Sequence, residues 1–197
     1  DGKPDLSGIW DAADGKWLRD LASDEGEAPF QPWAAAVYKE RVENLAKDRP
    51  SGRCLPHAIP DSMTVRSGPW KIIQNPNQLA ILFEEMNHYR QIFTDGRGYP
   101  KQMPPTWWGY SIGKWEGDTL VVDTVGLNDD TWLGVGQDGG DNHTSLHSDK
   151  LHVVERWSRQ GDVLTVEAVV EDPVMFTRPW VPRPKCTKIA PASDYIQ

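Results

Sequence analysis

Residues 109–124, GYSIGKWEGDTLVVDT, decide the fold. The stretches on either side of Glu116-Gly117-Asp118 alternate in polarity, and a glycine between acidic residues marks a turn, so the segment reads as one β-hairpin. Working outward, similar runs lie at 70–74, 78–84, 88–94, 108–115, 119–125, 150–158, 162–171 and 174–178. Turns fall at Asn75-Pro76-Asn77, Glu85–Asn87 and Arg159–Asp162, with a first strand in PDLSGIWD and a short one at 63–66. Strands joined by successive hairpins form a meander, and a meander this long closes on itself to hide its edges. The expected fold is therefore mainly β, a single antiparallel up-and-down barrel spanning 1–197. One helix is expected at about 32–47, where Ala34, Val37, Tyr38, Val42 and Leu45 recur at helical spacing and Pro50 ends the run. The two loops at 95–107 and 126–149 are long and rich in Gly, Pro and Asp, and residues 179–197 form a tail.

Charge and composition remove several function classes. The chain has 197 residues, a net charge of −8 and no run among its 21 Lys and Arg, which argues against a nucleic-acid partner. No apolar stretch reaches the length of a membrane span. The chain starts at Asp1, and a removed signal peptide would account for that start, so a periplasmic or secreted location is expected. Cys54 and Cys186 are placed to staple the C-terminal tail to the body as a disulfide; two unpaired thiols are the other reading. Ten tryptophans suit an interior or pocket that stacks on flat rings or sugar faces.

Gly8-Ile9-Trp10 resembles the Gly-x-Trp opening of lipocalin-type, calycin-like barrels. The resemblance implies a Trp plugging one barrel end beneath an Arg from a late strand, with Arg156 or Arg159 in that role. RQIFTDGR at 90–97, GYSIGKWEGDTLVVDT at 109–124 and HSDKLHVVERW at 147–157, with Cys54-Leu55-Pro56 and EDPVMFTRPW at 171–180, resemble a broad group of exported bacterial proteins. That second resemblance implies export and brings no reaction with it.

Several polar residues interrupt apolar strands. Asp123 shares a face with Val121 and Val125; it is either a cap on the turn into Gly126 or a pocket acid with a partner. Tyr110 is a pocket hydroxyl or a core residue. Arg90, on the face of Ile92, pairs an internal acid or meets an anionic ligand group. His147 is a surface loop residue or a proton shuttle. Asp95-Gly96 is a turn that Arg97 saturates, or Arg97 reaches a ligand. Ser148 beside His147 is not a hydrolase signature, because no Gly-x-Ser-x-Gly elbow occurs.

His143, His147 and His152 with Asp138, Asp141 and Asp149 lack recognised metal-ligand spacing, and no phosphate-cradling loop is present. Neither metal nor cofactor is expected. The leading expectation is a cofactor-free enzyme doing lyase- or isomerase-type acid–base chemistry on a small aromatic or sugar-like molecule. Asp123, His147, Tyr110 and Arg90 would carry the chemistry, and Trp108, Trp115, Trp132, Glu155 and Arg97 would contact the ligand. A lipocalin-like binding protein without catalysis is the alternative.

Overall fold

The computed structural model describes residues 2–12, 28–64, 69–84, 87–133, 146–182 and 184–190. Among them, nine strands close into one barrel in chain order. They are β1 (Gly8–Ala12), β2 (Trp70–Asn75), β3 (Gln78–Phe83), β4 (Tyr89–Phe93), β5 (Tyr110–Glu116), β6 (Thr119–Val125), β7 (His152–Gln160), β8 (Val163–Glu171) and β9 (Lys185–Ile189). The 109–124 hairpin forms as expected, with Tyr110 opposite Val125 and Glu116 opposite Thr119.

An odd ring cannot alternate direction at every junction. A closed circuit needs an even number of antiparallel junctions, so nine strands force at least one parallel pair. That pair is β4 with β5, and it holds through only Ile92↔Ser111 and Phe93↔Ile112. The long connection at 94–109 returns the chain so that both strands run the same way. Every other junction is antiparallel.

Two glycines fix the path of β5. Gly113 is buried, and a Cβ there would come within 2.9 Å of Ile92 and 3.1 Å of Leu120, so the inner face needs a residue without a side chain. Gly109 has φ +63°, and a Cβ would meet the Val125 carbonyl at 2.5 Å. Only glycine occupies that backbone conformation cheaply. The chain bends away from β4 at this point.

The C-terminal region differs from the sequence expectation. Residues 174–178 are not a strand; they turn, with Phe176 bridging Phe30, while Trp180 bridges Val170. The ninth strand comes instead from the presumed tail, where Lys185–Ile189 pairs with both β8 and β1 and shuts the ring. Of the short strand expected at 63–66, residues 63 and 64 belong instead to a helical turn, Asp61–Thr64, and residues 65 and 66 lie outside the described residues.

The helix α1 runs from Pro32 to Glu43, with proline at its first position, where a missing N–H costs nothing. It stops earlier than the expected residue 47 because Leu45 and Ala46 take left-handed φ values of 57° and 52°. That turn buries Ala46 and leaves Leu45 67% exposed.

Trp10 is fully buried at one end of the barrel, its Nε1–H donating to the Leu6 carbonyl at 2.9 Å. Of the two arginines expected over it, Arg159 takes the place, its guanidinium 5.2 Å from the ring centroid. Arg156 lies outside and pairs with Glu116 at 3.0 Å. The expected disulfide is not formed: Cys54 and Cys186 are free thiols. Cys54 is exposed on a left-handed residue after the 3-10 turn Pro50–Arg53, whereas Cys186 lies in β9 with its sulfur 3.6 Å from Thr165 Oγ1. Residues Lys185–Ile189 are held without a staple by their ladders to β8 and β1.

Candidate functional site

The barrel interior is filled with side chains. Trp10, Trp70 and Trp157 pack with Ile72, Leu79, Ile81, Leu120 and Val153. Within that apolar mass sits a polar knot. Arg90 and Glu155 alternate inward from β4 and β7 and are almost wholly buried. Arg90 Nη2 donates to Glu155 Oε2, and Nη1 reaches Oε1 at 3.3 Å. The remaining guanidinium hydrogens go to Ser111 Oγ (3.2 Å), Thr124 Oγ1 (3.0 Å) and Met63 Sδ (3.2 Å). Five donors and five acceptors are thus matched, the condition under which a charge pair persists in a dry core. Ser111 and Thr124, the small hydroxyl residues of the deciding hairpin, are there for this guanidinium, and they bond one another at 2.9 Å.

His147 is buried too, and both ring nitrogens are engaged. Nδ1 lies 3.2 Å from the Ser148 carbonyl and Nε2 3.1 Å from Thr131 Oγ1. A carbonyl only accepts, so Nδ1 carries the hydrogen and Nε2 accepts from the threonine. Burial, the largest influence, pushes its pKa down. Nearby, Ser148 donates its N–H and hydroxyl to the buried Asp172, which also accepts from Val174 and Met175 N–H. These bonds fold the corner around the buried Asp172 carboxylate.

Asp123 points outward from β6. Its Oδ1 accepts from Tyr99 Oη at 2.8 Å and lies 2.9 Å from His152 Nε2. His152 Nδ1 is in turn 2.9 Å from Glu171 Oε2. The side chains of the ring and both carboxylates remain a third to a half exposed. A neutral imidazole supplies one of these two bonds and an imidazolium both. Burial, and then its bond to Asp123, raise the pKa of Tyr99. The string crosses the outer faces of β6, β7 and β8 and anchors the 94–109 connection through Tyr99.

Among the described residues, one cleft of about 450 Å³ lies beside Gln31, Glu171, Asp172 and Phe176, and another, of about 400 Å³ and richer in rings, opens at the parallel junction. This second cleft is lined by the consecutive residues His88–Gln91 on one side and Thr106–Ser111 on the other, with Phe93. Neighbouring residues of a strand face opposite ways, so a space touching all of them lies between the strands, through the wall. Its surroundings are aromatic. His88 sits 5.4 Å from Trp107 and 5.8 Å from Trp108, ring centre to ring centre, and Phe93 stacks on Tyr110 at 5.1 Å. Trp108 is fixed by its Nε1–H to the His57 carbonyl at 2.8 Å. Trp107 is 37% exposed and Tyr89 67%. Arg97 covers Phe93 at 4.0 Å, bonds Asp95 as its turn role expects, and reaches Tyr110 Oη at 3.5 Å.

No family model, curated protein or solved structure matches this chain. The site is therefore read from its own geometry. Of the residues named from sequence, Arg90, Tyr110 and Trp108 line the cleft and Glu155 is the buried ion-pair partner of Arg90, while Asp123 and His147 lie in two other places. Trp115 packs against the core, and Trp132 is covered by Arg41 at 3.9 Å. Asp138, Asp141 and His143 lie outside the described residues, and among the described ones no three His, Cys, Asp or Glu side chains converge as a metal site. Sequence reasoning passed over His88, Tyr89 and Trp107. The doublet Trp107-Trp108 before a glycine was the available signal, but the strand expected to start at 108 absorbed it.

Proposed function

We propose that this chain is a small-molecule binding module that holds a flat aromatic or sugar-like ring in the cleft between β4 and β5 and does not transform it. The observation that carries this reading is the cleft's lining: rings from both strands and no carboxylate–histidine pair. Its volume falls in the range of small-ligand pockets, and a partly exposed Trp107 beside His88 offers a face for stacking. Export, expected from the sequence, belongs to the same proposal and would have the ligand met outside the cytoplasm.

The test is calorimetric titration with a panel of small aromatics and glycosides, followed by mass analysis of the recovered ligand. Binding that weakens at least tenfold in Trp107→Ala, with ligand recovered unchanged, supports the proposal. Recovery of an altered mass overturns it in favour of the enzyme reading. That second reading is favoured by Tyr99, Asp123, His152 and Glu171, a solvent-accessible acid–base string. Asp123→Asn should then lower turnover by roughly 100-fold, the usual worth of a positioned proton carrier.

A further inference from the structure

The cleft has a polar edge as well as aromatic walls. The phase of β4 is set by two main-chain bonds: Phe83 N–H donates to the His88 carbonyl at 2.9 Å, and Thr94 N–H donates to the Asn77 carbonyl at 2.8 Å. Main-chain groups alternate sides along a strand, so even-numbered residues of β4 turn their N–H and C=O toward β3. Tyr89, Gln91 and Phe93 turn theirs toward β5. In a parallel pair centred on Ile92↔Ser111, the groups that bond to Ser111 are the Gln91 carbonyl and the Phe93 N–H.

The ladder stops there. Its next step would take the Gln91 N–H to the Gly109 carbonyl, but Gly109 has bent away at φ +63°, and its carbonyl accepts from Thr106 Oγ1 at 3.2 Å. Among the described residues, no strand lies beside Tyr89 and the Gln91 N–H. Both residues line the cleft. The Tyr89 C=O and the Gln91 N–H flank one residue on the same side of the strand, an acceptor next to a donor, which is the complement of one amide group.

From this juxtaposition we infer that the ligand is a planar ring bearing a lactam-type edge, a ring N–H beside a C=O. The N–H donates to the Tyr89 carbonyl and the C=O accepts from the Gln91 N–H, while the ring lies among His88, Trp107 and Tyr110. The inference rests on the binding reading above and narrows it. An extended peptide would pair along a longer edge than the two residues open here, so a small ring fits better than a strand.

Two flat bicyclic compounds of the same outline separate the edge from the ring. Isoquinolin-1(2H)-one carries the lactam N–H, and isocoumarin has a ring oxygen in its place. Each is titrated calorimetrically into the full chain and into Trp107→Ala. A lactam facing the edge loses a donor on replacement and brings two oxygens together, so the lactam should bind on the order of tenfold to a hundredfold more tightly. Both compounds should weaken in Trp107→Ala. Equal affinities would overturn the lactam edge and leave the ring-binding reading standing. A lactam preference that Trp107→Ala leaves untouched lies elsewhere on the protein and overturns the inference. Binding of neither compound at its solubility limit overturns the inference and the binding reading together.

Discussion

Removing the charge of Glu155 should reveal how much of the barrel depends on its buried knot. In Glu155→Gln the shape is kept, yet the Arg90 guanidinium is left in the interior with Ser111, Thr124 and Met63 as neutral acceptors. Breaking one side of a buried pair costs about 3–5 kcal/mol. For a chain of this size each kcal/mol moves the melting temperature by about 2–4 °C, giving a fall of roughly 6–20 °C. Exchanging both partners, Arg90→Met with Glu155→Leu, removes the desolvation cost with the attraction and should fall within about 1 kcal/mol of the parent, or above it. Urea unfolding of Arg90→Met, Glu155→Leu and the double carrying both, with the slope checked for constancy, measures this as a coupling energy. A loss below about 1 kcal/mol in Glu155→Gln, or a double variant that loses the sum of the singles, would refute the reasoning.

Three further expectations are independent of it. Burial first, and the positive Arg49 second, push the pKa of His57 down to about 4; the unfolded chain therefore binds a proton that the folded chain refuses below about pH 6.5. Stability should be full above that pH and fall toward pH 4 by up to about 1.4 kcal/mol per pH unit, and His57→Gln should flatten the profile; an unchanged slope in the variant would be the contrary result. Gly109→Ala combines a left-handed φ with a 2.5 Å approach to the Val125 carbonyl, so thermal unfolding should show a loss of about 1–3 kcal/mol or more, and a melting temperature within a degree of the parent would deny the bend. With both cysteines free, a thiol reagent should titrate two equivalents in denaturant without reductant, and exposed Cys54 should react first in the native protein; zero equivalents would restore the disulfide.

The barrel was legible because each strand carries its own alternation and each hairpin its own turn: Glu116-Gly117-Asp118 names both neighbours at once. Closure by Lys185–Ile189 was not, since VPRPKCTKIAP reads as a proline-rich tail and the strand that shuts the ring, β1, lies at the far end of the sequence. The helix end was missed because its apolar spacing carries on through Leu45 while the backbone does not. Arg90 and Glu155 could be suspected as interior charges, and pairing with an internal acid was one of two readings for Arg90. Which acid it meets depends on register across four strands. Asp123 illustrates the opposite difficulty: apolar neighbours on both faces of 119–125 suggested cover, yet the outer face is only partly shielded, and Tyr99 and His152 arrive from distant segments.

The odd strand count also says where this barrel could grow. A strand inserted at any antiparallel junction would be parallel to one neighbour, whereas one placed between β4 and β5 would run opposite to both and restore strict alternation around ten strands. The segment that would supply it already connects the two sides, residues 94–109, and as a strand it would turn one crossover into two ordinary hairpins. Its composition forbids the conversion: Pro100, Pro104 and Pro105 cannot donate to a ladder, and Gly96 and Gly98 weaken any strand containing them. Those residues keep the connection from zipping into the seam, so the same sequence choice that leaves the ring one strand short holds the cleft open.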